Sequence, residues 1–361
     1  MKELRIEAID PDIKVVNLSV AQKQLVEIVK ALSLNAKLLM LDEPTASLTT
    51  KETKYLMDII EELRKKGVAI VYVSHRLEEV FSIADEISVL RDGSMIINMQ
   101  KEQFDYDQVI FHMIGRKLED YDVAGIDQRD LQHSDEALRV EHLSRRNELT
   151  DISFEARKGE ILGFGGLVGA GRSELLEAIF GYEPYTSGDI YVEGEKVTIR
   201  STEDAIKHGL ALVPEERKVK GIFAGLSVME NINIVSYHDL KNGRLINREK
   251  ERKSASTYVD ELKIRTTSIK KLIGQLSGGN QQKAILARWL RIHPKILMLD
   301  EPTHGIDIGA KEDIYRIIRE LAQQGTTVLL VSSEMQELIR LSDRVIVMRE
   351  GKVQGILDKA E

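Results

Sequence analysis

The eight residues Leu38 to Thr45, LLMLDEPT, return as ILMLDEPT at Ile296 to Thr303. The offset is 258 (296 − 38), and it carries Leu18-Ser19 onto Leu276-Ser277, Gly67 onto Gly325, Ser74 onto Ser332, Asp85 onto Asp343, Arg91 onto Arg349 and Gly93 onto Gly351. An ungapped duplication of this length commits the chain to two like units. The second copy begins near Leu138, and 138 − 258 falls about 120 positions before Met1. The expected layout is the carboxyl-terminal part of a first copy over 1–119, a linker over 120–136 that is acidic and poor in apolar residues, and a second copy over 137–361, in a chain truncated at its amino end.

Each copy repeats one grammar. A helix with apolar positions at helical spacing (Leu25, Ile28, Val29, Leu32; Ile285, Leu286, Trp289, Leu290) precedes a continuous apolar strand ending in Asp-Glu-Pro. The spans 51–66 and 311–324 then read as helices stopped by Gly67 and Gly325, each followed by a buried strand, VAIVYVS or TTVLLVS. Strands alternating with helices predict an α/β fold, a mostly parallel sheet with helices on both faces. Short alternating strands over 137–159 and 188–199 add an antiparallel β subdomain. On this count the first copy is incomplete, and its apolar strands over 37–41 and 68–73 have exposed edges.

Composition excludes other classes. There are no cysteines, so disulfides, thiolate zinc sites and a cysteine nucleophile are ruled out. The net charge of −8 supplies no global basic field for a nucleic-acid backbone. The amino terminus, MKELRIEAID, has no apolar signal core, and runs such as 69–73 and 328–331 are far short of a membrane span, so any membrane role is expected to be peripheral.

Gly166-Leu-Val-Gly169-Ala170-Gly171-Arg172-Ser173 fits the phosphate-cradling pattern G-x-x-x-x-G-K-[ST], except that Arg172 stands for lysine. A strand, ILGFGG, precedes it and a helix over 174–180 follows, so backbone N–H groups can face an anion. The candidate phosphate set is Gly166, Gly169, Ala170, Gly171, Arg172, Ser173 and Glu174, with the Ser173 hydroxyl offered to Mg2+. The plain alternative is a glycine-rich turn without a ligand. Asp42-Glu43 and Asp300-Glu301 each end an apolar strand, where open parallel sheets bind ligands. Asp42 and Asp300 suit Mg2+, while Glu43 and Glu301 suit the orientation of an attacking water. One such pair is often a helix cap; two copies argue against that.

Ser277-Gly278-Gly279-Asn280-Gln281 opens an apolar helix, and alone it reads as an N-cap. Its leading Leu276 lies 24 residues before Asp300 (300 − 276), and Leu18, followed by Ser19, lies 24 before Asp42 (42 − 18). His75 stands 33 residues after Asp42 (75 − 42), placed to hydrogen-bond a phosphate oxygen; the matching residue of the second copy is Ser333 (333 − 300). Val213-Pro214-Glu215-Glu216-Arg217 reads as a loop after a strand. It is either a metal or water contact through Glu215 or a solvated charge run.

Phosphate loop, LSGGNQQ, LMLDEPT and switch residue, in this order, resemble the ATP-binding-cassette family over essentially the whole chain. LSVAQKQ, GLVGAGRSE, VPEERK, LSGGNQQK and EPTHGIDIGAK further resemble the ATPase subunits of bacterial monosaccharide importers of the ribose, xylose and galactose kind. The resemblance implies a P-loop NTPase fold with a helical subdomain, and ATP with Mg2+ as ligands. It implies two cassettes packed head to tail, each ATP lying between the loop of one and the signature of the other. One site then pairs the Arg172 loop, Asp300 and Glu301 with Leu18 to Gln22. Arg172, Val20-Ala21 and Ser333 depart from lysine, Gly-Gly and histidine there, so this site is expected to bind ATP better than it hydrolyses it. The other pairs Asp42, Glu43 and His75 with Ser277-Gly278-Gly279, its phosphate loop lying outside these residues. Glu43, His75 and Glu301 carry the implied catalysis.

The implied partners are a transmembrane sugar permease met by the segment 221–231 and, indirectly, a sugar-binding protein, at the cytoplasmic face of the membrane and with no nucleic acid. Gly115-Arg116 is read as packing. Two other readings stay open: a non-catalytic nucleotide-binding module, and a soluble cassette ATPase acting on ribosome or DNA. The short acidic linker and the absence of cysteine speak against the latter.

Overall fold

The structure, a computed structural model, describes residues 12–358 apart from 19, 34–35, 46–47, 49, 75, 92, 115–130, 168 and 243–244. The chain divides into two compact units, Met1–Asp120 and Tyr121–Glu361. Ser19, His75, Gly115, Arg116 and most of the span expected as a linker lie outside the described residues.

In the first unit α1 (Val20–Ser33) leads to β1 (Leu38–Asp42), α2 (Thr50–Lys65), β2 (Ala69–Val73), α3 (Leu77–Ile83), the antiparallel pair β3 (Glu86–Arg91) and β4 (Ser94–Gln100), and α4 (Tyr106–Ile114). β1 and β2 pair in parallel, from Leu38 opposite Ala69 to Asp42 opposite Val73. Leu56, Ile59, Ile60 and Leu63, one apolar stripe of α2, share a core with Leu39 and Leu41 of β1. Gly67 ends that helix turn at φ +83°, a conformation open to glycine at little strain. Among the described residues the other face of the pair is exposed, at Leu38, Met40, Val71 and Val73.

The second unit opens with β5 (Glu136–Arg145) and β6 (Leu149–Arg157), then β7 (Ile161–Gly165), α5 (Arg172–Ile179), β8 (Ser187–Val192), β9 (Glu195–Val197), α6 (Thr202–Lys207) and β10 (Leu210–Val213). After a π-helical turn over Arg217–Gly221 come α7 (Val228–Asn233), the small strands β11 (Lys241–Asn242) and β12 (Leu245–Ile246), and α8 (Arg248–Glu261). α9 (Gly278–Leu290), β13 (Ile296–Asp300), α10 (Ile308–Gln323), β14 (Thr327–Val331), α11 (Met335–Leu341), β15 (Arg344–Arg349) and β16 (Lys352–Asp358) complete it.

Its main sheet runs β10-β13-β14-β7-β15-β16, parallel except for the last strand. A four-stranded antiparallel sheet, β6-β5-β8-β9, forms the second layer. One continuous core joins Leu138 and Phe154 of the antiparallel layer to Phe164, Leu299 and Leu330 of the parallel one, with Phe154 set edge-on to Phe164 at 5.3 Å. α10 starts earlier than the apolar pattern suggested, at Ile308, because the Asp307 side chain caps it by accepting the Ala310 N–H. α5 likewise begins at Arg172 rather than Glu174, because Gly171, at φ +95°, turns the chain directly into the helix.

β13 is paired on both sides and every residue of it is buried, whereas β1, with almost the same sequence, is paired on one side and alternates exposed and buried. Met298 is fully buried and its repeat counterpart Met40 is 71% exposed. Met298→Glu should therefore lower unfolding stability by roughly 4 kcal/mol or more, an unpaired charge being forced into the core, while Met40→Glu stays within about 0.5 kcal/mol. Thermal and urea unfolding of the two variants side by side measures this.

Candidate functional site

Parallel pairing places the carboxyl ends of β13 and β14 side by side, Asp300 opposite Val331. The chain then turns at Glu301, whose N–H donates to the Val331 carbonyl at 3.0 Å and whose φ is +45°. The first unit makes the same turn: Glu43 N–H donates to Val73 O at 2.9 Å, with φ +47°. Strain of this kind in a non-glycine residue concentrates at functional positions.

The phosphate-loop glycines have three different reasons to be glycine. A Cβ on Gly166 would meet the Met348 carbonyl at 2.5 Å, so close approach of β15 forbids a side chain. Gly171 combines φ +95° with a contact of 3.1 Å to Gly351. Gly169, at φ +79°, has nothing within 4 Å on that side, so its face of the loop is open to a ligand.

Around the loop the structure brings together five of the expected side chains. Ser173 hydrogen-bonds Asp300, and Glu215 stands close enough to raise both Asp300 and Glu301 electrostatically. Arg172 is buried; its Nη1 donates to the Ser332 carbonyl at 2.7 Å and its Nη2 lies 3.6 Å from Glu301 Oε1. The guanidinium expected to carry phosphate charge is thus turned back onto protein partners, as its longer reach and planar fork allow. Ser333, in the switch position, donates its hydroxyl to Glu301 Oε2 at 3.1 Å. Ala170 is buried in the loop, and the Glu174 carbonyl accepts from Arg145 at 3.2 Å.

Asp300 is 5% exposed and its Oδ1 is buried without a hydrogen-bond partner. Burial first, then the neighbouring Glu215 and Glu301, push Asp300 up to about 7, against the opposing Ser173 hydrogen bond and the Arg172 charge. Burial also pushes Glu301 up. In the first unit Asp42 is exposed and Glu43 half-buried.

Ser277, Gly278, Gly279, Asn280 and Gln281 begin α9. A Cβ on Gly279 would come 2.3 Å from Ala310 Cβ, so packing demands that glycine, whereas one on Gly278 would meet the flexible end of Arg217, Nη2 at 2.8 Å. Asn280 Nδ2 donates to Ser277 Oγ at 2.8 Å, while its Oδ1 accepts the Arg265 N–H at 2.7 Å. Gln281, expected with this group to face a nucleotide, is buried, its amide donating to the Leu276 carbonyl at 3.1 Å. Arg217 was legible only as one charge in a run; its place beside Gly278 is a product of the fold.

The segment 221–231, expected to meet a permease, is only partly exposed. Gly221, Ile222 and Asn231 are buried, and Phe223 to Gly225 face outward. The reason is a buried cation: Arg288 of α9 donates to the carbonyls of Gly221 and Asn231, both at 2.8 Å, and to Asn231 Oδ1 at 3.0 Å.

A family model described as ABC transporter matches residues 1–46 and 149–304. The ribose import ATP-binding protein of Geobacillus kaustophilus is 44% identical over 350 residues, covering 97% of this chain and 70% of that protein. The xylose import ATP-binding protein of Thermoanaerobacter pseudethanolicus is 44% identical over 359 residues, 98% of this chain and 71% of the other. Among solved structures, a nucleotide-free ATP-binding cassette from an ABC transporter superposes with a TM-score of 0.54 at 24% identity, covering 61% of this chain and 90% of its own. A dimeric post-hydrolysis cassette bound to ADP and Pi gives 0.54 at 21% identity, covering 62% and 99%.

The Asp300 environment has a measurable consequence. The native carboxyl keeps its proton up to about 7, whereas its ordinary value is 3.8, so between these values the folded state binds more protons than the unfolded one. Stability from this group is therefore full below pH 4 and falls as pH rises to about 7, by on the order of 4 kcal/mol. In EDTA, Asp300→Asn should melt several degrees above wild type at pH 8 and level with it at pH 4, read by thermal unfolding across that range.

Proposed function

This chain belongs to the ABC transporter family of ATP-binding proteins, and from that premise we propose that it is the ATP-hydrolysing subunit of a monosaccharide importer of the ribose, galactose or xylose kind. The observation that carries the reading is the convergence of Ser173, Asp300, Glu301 and Arg172 on one end of the parallel sheet, beside a loop whose Gly169 face is open. That is the donor set of phosphoryl transfer, in which positioning and electrostatics do most of the catalysis.

Ser173 and Asp300 are the residues that would hold Mg2+; the partnerless buried Oδ1 of Asp300 fits a cation ligand. Among the described residues no group of three His, Asp or Glu forms a ready cage, which suits an ion that completes its shell with water and phosphate oxygens. When bound, Mg2+ would neutralise charge on the terminal phosphates. Glu301, fixed by Ser333, would orient water, and the acceptor capacity of its carboxylate fits that role. Arg172 must leave Ser332 and Glu301 to reach a phosphate, which makes this the slower site. The same observation favours the second reading, a nucleotide-binding unit without turnover.

Asp42, Glu43 and His75 would serve a second site. The partners would be permease subunits, met through the outward residues Phe223 to Gly225, and a sugar-binding protein acting through them. Among the described residues no helix is long and apolar enough to cross a membrane, and the proposed place is peripheral, at the cytoplasmic membrane face.

Steady-state Mg-ATP hydrolysis tests the division of labour. The chain alone should turn over slowly. Glu43→Gln or His75→Ala should lower that rate at least tenfold, and Glu301→Gln should change it less than threefold. Fast hydrolysis by the chain alone, lost in Glu301→Gln and kept in Glu43→Gln, would overturn this division.

A further inference from the structure

Glu337 belongs to none of the motifs above, yet it is 3% exposed and ties together the segments on either side of Glu301. Its Oε1 accepts the hydroxyls of Thr303 and of Tyr315, the latter at 2.5 Å, and its Oε2 accepts Ser332 Oγ at 2.7 Å. Lys311 Nζ lies 3.5 Å from Oε1 and supplies the compensating charge. Thr303 is two residues beyond Glu301 (303 − 301), and Ser332 directly precedes Ser333, the residue that donates to Glu301. Ser332 also offers its carbonyl to Arg172. One buried carboxylate therefore sets where the acidic turn, the switch residue and the loop cation stand relative to one another.

The first unit holds part of the same device, without the serine arm: Ser74, the counterpart of Ser332, accepts the Arg76 N–H at 3.0 Å instead. Glu79, the repeat counterpart (337 − 258), accepts Thr45 Oγ1 at 2.7 Å, and Thr45 is the counterpart of Thr303 (303 − 258). It also accepts a tyrosine hydroxyl, Tyr72, at 2.7 Å. The tyrosines are not counterparts: position 315 corresponds to Met57 and position 72 to Leu330. Tyr315 comes from α10 and Tyr72 from β2, so the two units satisfy one carboxylate from different elements. A buried carboxylate deprived of donors carries a large desolvation penalty, and this recurrence with altered donors indicates that the carboxylate itself is what must stay.

We infer that Glu337 is a positioning residue for ATP hydrolysis: through Thr303 and Ser332 it holds the Glu301 turn and the switch segment in register. This rests on the role given to Glu301 above.

The test uses the full chain with Thr303→Val, which removes one hydroxyl at constant shape, and Thr303→Ser, which restores it. Single-turnover hydrolysis of bound Mg-ATP, ATP affinity by fluorescence of a labelled nucleotide, and hydrogen exchange are measured on each, with Glu301→Gln as reference. Thr303→Val should slow turnover about tenfold at ATP affinity within about twofold of wild type, and Thr303→Ser should recover it, since small misplacements of a reacting group are that costly. Exchange should rise over 300–305 and 331–334 and stay unchanged in the interior of β7. Unchanged exchange, or turnover and affinity falling together without rescue by serine, would overturn the inference. If Glu301→Gln itself leaves turnover unchanged, or wild type shows none, it is the reading of Glu301 that fails, and the exchange result then decides for or against the clamp by itself.

Discussion

The hydrogen bond from the Glu301 N–H to the Val331 carbonyl closes two parallel strands just where the chain leaves the sheet. Everything around the site hangs from it. It forces Glu301 into a left-handed turn, sets its carboxylate beside Ser333, and leaves Asp300 at the buried strand end against Ser173. The first unit repeats the bond from Glu43 to Val73, with the same backbone strain. A strained acidic turn survives only where its surroundings overdetermine it, and here parallel pairing on one side and the Glu337 or Glu79 carboxylate on the other do so.

Electrostatics in the second unit follow from burial. Arg172 and Asp300 are buried and Glu301 half-buried, and the loop cation finds a carbonyl and a carboxylate within the protein. A site with two acids and one cation held this way is prepared for an anion and a divalent ion to reorganise it. Arg288 shows the same economy elsewhere: a buried guanidinium without a carboxylate is satisfied by backbone carbonyls, and in doing so shapes the outward turn at Phe223.

Much of this was legible in the residues. The repeated LDEPT, the glycine loop and the strand–helix alternation identify a parallel sheet with an acidic edge, and the six-stranded sheet has that edge. Gly169 and Gly171, both in the loop the pattern marks out, adopt positive φ. Other features were not legible. Gly278 and Gly279 look like a phosphate-facing motif, yet Gly279 is also required by Ala310, 31 residues away in sequence (310 − 279), and Gly278 packs beside Arg217, 61 residues away (278 − 217). Gln281 sits in a polar run and is buried, because the turn before α9 offers it a carbonyl. No local pattern encodes such partners.

LLMLD and ILMLD bring out the division most plainly. The sequence by itself determined that both are strands, that each ends in two acids and that each is followed by a helix, since these depend on local propensity and spacing. Tertiary structure alone decided that Met298 is buried on a two-sided strand while Met40 faces solvent on a one-sided one. Likewise it decided that Glu337, 36 residues beyond Glu301 (337 − 301), stands within hydrogen-bond reach of the segments flanking it. Burial and hydrogen-bond partnership are properties of what packs alongside, and parallel sheets bring those neighbours from far along the chain.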